Sequence, residues 1–177
     1  MTASASALVL VCGLVFAGVS TAGSGAPKGG IMNIQITTPP GRGATSPIVV
    51  VGAVGDYGTA TGIDRDGKTD VDGQYLKVAL TKGGFEINLT TLAHGGLASG
   101  GISNPTTCSN EGVFSGPVTV FDGDGSYKGI TGTLHVTMTL ATLQSRISHG
   151  SQKGECDQGG PPLKSLGNIG GSGRVSF

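Results

Sequence analysis

At 177 residues the chain suits a single domain, and its 11 Lys and Arg balance 11 Asp and Glu, so it lacks the basic stripe that phosphate backbones require and nucleic acid is not an expected partner. Charged residues are 12% of the chain and hydrophobic ones 37%, which excludes disorder driven by charge. The 34 glycines follow no three-residue period and fall between apolar runs, as turns and bulges between short strands require, while the absence of Trp leaves little aromatic surface for stacking bases or sugars.

Residues 7–17 (ALVLVCGLVFA) form an apolar run followed by small residues ending Ser20-Thr21-Ala22. That is the layout of a secretory leader with an A-x-A-like cleavage site, although no Lys or Arg precedes it. The run is shorter than the roughly 20 apolar residues a membrane span needs, so stable membrane insertion after cleavage is not expected. The predicted organisation is a signal peptide over 1–22, a flexible linker over 23–30 and one β domain over 31–177, with a secreted, extracellular location.

Residues 31–37 alternate with period two, which predicts a half-buried strand ended by Pro39-Pro40-Gly41. Residues 47–54 (PIVVVGAV) are a continuous β-branched run, expected of a strand covered on both faces or lying inside a barrel. Gly55-Asp56-Tyr57-Gly58 reads as a turn, with a strand resuming over 59–63. The polar stretch 64–73 (DRDGKTDVDG) carries two Asp-Gly steps, a hairpin signal. Strands follow over 75–80 and 85–92, separated by Lys82-Gly83-Gly84. Residues 93–107 read as loop, and 112–115 and 118–121 as two short strands.

The clearest strand is 130–140, where Ile130, Gly132, Leu134, Val136, Met138 and Leu140 alternate with Thr131, Thr133, His135, Thr137 and Thr139. A helix would group its apolar residues three and four apart, and this stretch does not. A long loop holding Cys156 follows, then a last strand over 167–177. About eight strands joined by short turns predict an all-β fold, a single small antiparallel barrel or a sandwich.

Cleavage after Ala22 would leave two cysteines, Cys108 and Cys156. An even pair in an exported chain is expected to be bridged, with a loop of this length contributing ~4 kcal/mol in the chain-entropy picture.

Sites with chemistry are scarce. Asp64, Asp66, Asp70 and Asp72 invite a calcium reading. Taking Asp64 as the first position of an EF-hand loop, however, places glycine too early and Tyr75 where a bidentate Glu is needed. His94, His135 and His149 lack metal spacing, so no metal or cofactor is expected. No G-x-S-x-G elbow, phosphate loop or dinucleotide fingerprint occurs. Asn88-Leu89-Thr90 fits a glycosylation sequon inside a predicted strand.

Residues 123–133 (GDGSYKGITGT), with Gly123, Gly125, Tyr127, Gly129 and Gly132, resemble the G-x-G-x-[YF]-x-G-I-x-G-T turn of the allene oxide cyclase and dirigent barrels. The wider chain is similar to a group of small secreted actinobacterial proteins over GDYGTAT (55–61), SGPVT (115–119) and GSGRVSF (171–177). The superfamily resemblance implies a closed antiparallel barrel with an apolar cavity and assembly as a homo-oligomer, a trimer. It also implies a reaction, in enzymatic members, that cyclises a fatty-acid epoxide or steers phenoxyl coupling. Glu86, the one acidic residue inside a predicted strand, alternates out of phase with Phe85 and Ile87 and is expected to face solvent.

The functional expectation is therefore a non-catalytic exported barrel. It would bind a small apolar molecule through Val78, Leu80, Ile87, Leu89, Leu134, Val136 and Met138, or serve as a structural or cell-surface interaction module. The alternative is a cofactor-free cyclase or dirigent-type enzyme with a lipid-derived or phenolic substrate.

Overall fold

The computed structural model describes residues 28–38, 45–70, 74–95 and 98–177. The expected leader (1–22) and the first part of the linker lie outside these residues, as does Asp72. The described chain forms a closed eight-stranded antiparallel β-barrel with a ninth strand attached. In chain order the strands are β1 (Gly29–Thr38), β2 (Ser46–Gly52), β3 (Asp56–Ile63), β4 (Tyr75–Leu80), β5 (Gly83–Asn88), β6 (Ala98–Asn104), β7 (Ser109–Phe121), β8 (Thr131–Leu143) and β9 (Lys164–Ser176). The neighbour order is β5-β4-β3-β2-β1-β9-β8-β7-β6, and pairing of β5 with β7 closes the ring. Closure satisfies the backbone groups that an open sheet would leave at its edges.

Alternation decides which side chains enter. Met32, Ile34 and Ile36 of β1, Ile48 and Val50 of β2, Phe85 and Ile87 of β5, and Leu134 and Val136 of β8 all belong to one buried cluster. The ends of the barrel are stopped by two short elements. A 3₁₀ turn, Gly125–Tyr127, sets the Tyr127 ring edge-on to Phe85 and Phe177, with centroids 6.2 and 5.8 Å away. Toward the opposite end, Leu92 of the six-residue helix α1 (Thr90–Gly95) is buried against the cluster, and the helix packs on β7.

Several expectations need correction. Residues 89–92 do not extend β5: the Asn88 side chain accepts the Thr90 N–H at 2.8 Å, and this Asx turn diverts the chain into α1. Residues 98–104, read as loop, form β6. The two short strands around Pro117 are one, β7. Pro117 lies between the stretch of β7 paired by β6 (109–114) and the stretch paired by β5 (119–121). Residues 115–118 therefore have β8 alone beside them, an edge position where a residue without an N–H is accommodated. Gly29 and Gly30, placed in the linker, pair with Ser176 and Val175 of β9. The β-branched run of β2 is covered on one face only: Ile48 and Val50 are buried, whereas Val49 and Val51 are about half exposed, at 51% and 50%.

The Cys108–Cys156 disulfide is present, with a Cα–Cα separation of 5.3 Å. It ties the β6–β7 turn to the loop between β8 and β9, which also pairs Arg146 with Cys156 as an isolated bridge.

Candidate functional site

The residues expected to line a ligand cavity come together inside the barrel. Val78, Ile87, Leu134 and Val136 are fully buried, and Leu80, Leu89 and Met138 pack on them partly buried. Exposure of the four buried members does not exceed 1%. A void large enough for a water molecule would itself expose the side chains lining it, so these four side chains are packed within the buried cluster, and Val78 also borders an open cleft over β4 and β5. The interior at this level is a packed core with Phe85, Met32 and Ile130 among its largest members.

The titratable cluster within the fold sits at the end closed by the 3₁₀ turn. Asp56, the first residue of β3, is 7% exposed. It accepts hydrogen bonds from the Tyr127 hydroxyl at 2.7 Å, the Thr81 hydroxyl at 2.5 Å, and the backbone N–H groups of Tyr57 at 2.8 Å and Lys82 at 3.1 Å. Burial alone would raise this carboxyl. The bonds from Thr81 and Tyr127 and the two amides outweigh it, and hold the carboxyl well below the usual carboxylate range. For Tyr127, burial, the bond to Asp56 and that group's negative charge push the phenol up to about 12. Four donors converge on Asp56, and all belong to the protein. The arrangement stabilises the ionised carboxylate and holds three segments together; it is not that of a general base poised near neutrality.

The glycine turn singled out from sequence builds this node. A Cβ on Gly123 would overlap the Tyr127 carbonyl oxygen, and Gly125 adopts φ +53° with its Cα against the β4–β5 turn, where an added Cβ would lie 2.6 Å from the Lys82 carbonyl oxygen. Asp124 locks the same turn by accepting the Gly84 N–H at 2.6 Å, while its own N–H donates to the Gly84 carbonyl at 3.0 Å. Gly129 follows the turn at φ +81°, and Gly132 pairs with Val175 within the β8–β9 ladder. The motif thus acts as an end-plug that positions Tyr127.

The remaining candidates are outside the barrel. His135 is exposed on the Thr-bearing face of β8, opposite Pro117 and Ser172. His149 donates to or accepts from Ser148 in an exposed loop. Asp64 accepts the Asp66 and Lys68 N–H groups at 2.8 and 2.9 Å, so its carboxylate closes its own hairpin. Among the described residues no group of three or more His, Cys, Asp or Glu is arranged to hold a metal ion. Glu86 is half-buried, paired with Lys77 on β4 and Phe121 on β7.

Two features of the outer surface escaped the sequence reading. On β1–β3 an apolar patch brings together Val49, Val51, Ile31 at 50% exposure and Tyr57 at 65%, with Val49 directly opposite Tyr57 in register. On the extension formed by β6–β9 beyond the barrel wall, an open groove of about 380 Å³ runs over Ala141 between Ile102 and Leu166. The signal for the first was present in the two-faced apolar character of β2. The second depends on strand β6, which carries no period-two signal. No family model, no curated protein and no solved structure matches the chain.

Proposed function

We propose that this chain is an exported, non-catalytic barrel that works through its outer surface as an interaction module. The observation that carries this reading is the pairing of a core closed by its own side chains with an outward apolar patch on β1–β3. A single exposed valine on a strand needs no explanation. Val49 and Val51, two apart on β2, with Tyr57 opposite Val49 and Ile31 diagonal to Val51, gather exposed apolar side chains on one sheet face around Asn33 and Gln35, and such a cluster marks a contact surface. The Asp56 carboxylate supports the non-catalytic part, because its acceptor sites are occupied by four donors from the chain itself. The disulfide is compatible with an oxidising, extracellular setting. The likeness of the glycine turn to the allene oxide cyclase and dirigent barrels supports a common architecture without supplying a reaction.

The test compares the protein with its Val49→Thr/Val51→Thr variant, which keeps β-branched side chains but makes the patch polar. Binding of each to the surface of the producing cells is measured, and native mass spectrometry looks for small molecules carried through purification. Surface binding that falls in the variant, with no small molecule retained, is the expected result. Unchanged binding, or a stoichiometric apolar ligand released from the oxidised protein, would replace this reading with the carrier alternative.

A further inference from the structure

Beyond the barrel wall, β7, β8 and β9 continue as a flare to which β6 adds an outer strand. Its outward face carries two consecutive cross-strand rows. One reads Ile102, Glu111, Ala141, Leu166 from β6 to β9; the next includes Leu143 and Lys164. Ile102 is 67% exposed, Leu166 58% and Leu143 41%, and between the first two the small Ala141 leaves the floor of the groove. Glu111 and Lys164 stand at opposite corners of this apolar centre, and among the described residues neither has an ion-pair partner in the chain. Two strands and one same-face step separate them, about 12 Å between Cα atoms.

We infer that this face pairs with a second copy of the same chain about a two-fold axis, with Glu111 of each copy against Lys164 of the other. An isologous contact requires a surface that complements itself. A patch with one charge sign would repel its copy. A patch with opposite charges flanking an apolar centre attracts it, because the axis passing between Ala141 and Leu143 exchanges the two corners. The same operation carries Leu166 of one copy toward the Ala141 hollow of the other, so a protruding side chain meets the place where the surface is lowest. The contact is small against the roughly 800 Å² per partner of a standard interface, so association is weak and concentration-dependent. It uses neither the β1–β3 patch nor the barrel interior, and a two-fold pair differs from the three-fold assembly that the superfamily resemblance implies.

Sedimentation velocity on the purified, oxidised protein over a range of concentrations tests this with charge reversals. Glu111→Lys and Lys164→Glu each place like charges face to face twice per dimer. Either should weaken self-association by roughly tenfold or more. An equimolar mixture of the two variants places every Lys opposite a Glu, and should recover a dimer that neither forms alone. Both positions are exposed, so the variants are expected to keep the far-ultraviolet spectrum of the parent; recovery in the mixture shows that each is folded. Ala141→Arg, which fills the hollow, gives a second route to the monomer. A parent that stays monomeric at every concentration, single reversals that still dimerise, or a mixture that remains monomeric would each overturn the inference, and a trimer would place self-association elsewhere.

Discussion

The Tyr127 hydroxyl donates to Asp56 Oδ2 at 2.7 Å across 71 positions of sequence. This bond joins the 3₁₀ plug to the start of β3, while Thr81 and Lys82 bring in the β4–β5 turn through the same carboxylate. Tyr127→Phe keeps the ring contacts with Phe85 and Phe177 but removes the donor. A buried acceptor then loses one of its partners. The melting temperature is expected to fall by a few degrees with the far-ultraviolet spectrum unchanged. An unaltered melting temperature would show that the bond contributes nothing to stability.

Acid and alkali should act on the same node from opposite sides. The Asp56 carboxyl is depressed in the folded state, so its contribution is fully present above the ordinary aspartate value of about 3.9 and is lost as pH falls below it toward the folded value. Tyr127 is raised, so its contribution is complete below the ordinary phenol value near 10 and disappears as pH rises through about 12. Thermal melts between pH 2 and 7 should therefore show a stability loss on the acid side that is shallower in Asp56→Asn. Parallel profiles for the two proteins would assign acid sensitivity to other carboxylates.

Register on β8 predicts a sharp contrast between neighbours. Leu134 is fully buried and His135 exposed. Leu134→Ala should cost about 2–5 kcal/mol in denaturant unfolding, and His135→Ala should stay within about 0.5 kcal/mol. Equal effects would mean that the strand is turned differently from the face assignment given above.

Gly125 and Gly67 both adopt positive φ, at +53° and +78°, but only Gly125 has backbone against it. Alanine at Gly67 should cost about 1 kcal/mol from the backbone conformation alone. At Gly125 it must also displace the Lys82 carbonyl, and the loss should be larger by about 1–3 kcal/mol. Chemical denaturation of the two variants compares them directly.

Breaking the disulfide by Cys108→Ser/Cys156→Ser frees a closed segment of 48 positions. The chain-entropy picture gives a loss of up to about 4 kcal/mol. Because neither cysteine lies in a barrel strand, amide exchange should accelerate mainly in the 144–163 loop and β6. Exchange that accelerates uniformly through the barrel would show that the bridge supports the whole fold.

Period-two alternation made the barrel strands readable, above all β8, because one face of each had to be buried whatever its neighbours. The places that misled have particular causes. At residue 89 the apolar phase of Phe85 and Ile87 continues, yet the Asn88 side chain captures a backbone N–H and turns the chain. Strand β6 (ASGGISN) carries no alternation because it pairs on one side, and its residues 101–104 are exposed. The Asp56–Tyr127 bond joins two motifs that each read as ordinary turn chemistry, and nothing local in either announces the other. The outer patch was visible only as an excess: β2 has more apolar residues than one buried face can use.

Among the described residues the first and last strands are neighbours: β1 lies against β9 along ten consecutive registered pairs, from Gly29↔Ser176 to Thr38↔Gly167. Synthesis from the N-terminus therefore leaves β1 without its mate until β9 has emerged. Closure of this ring waits for its most distant contacts and is slow for that reason. A product lacking β9 would present two unsatisfied edges, those of β1 and β8, and would be prone to stick to its own kind.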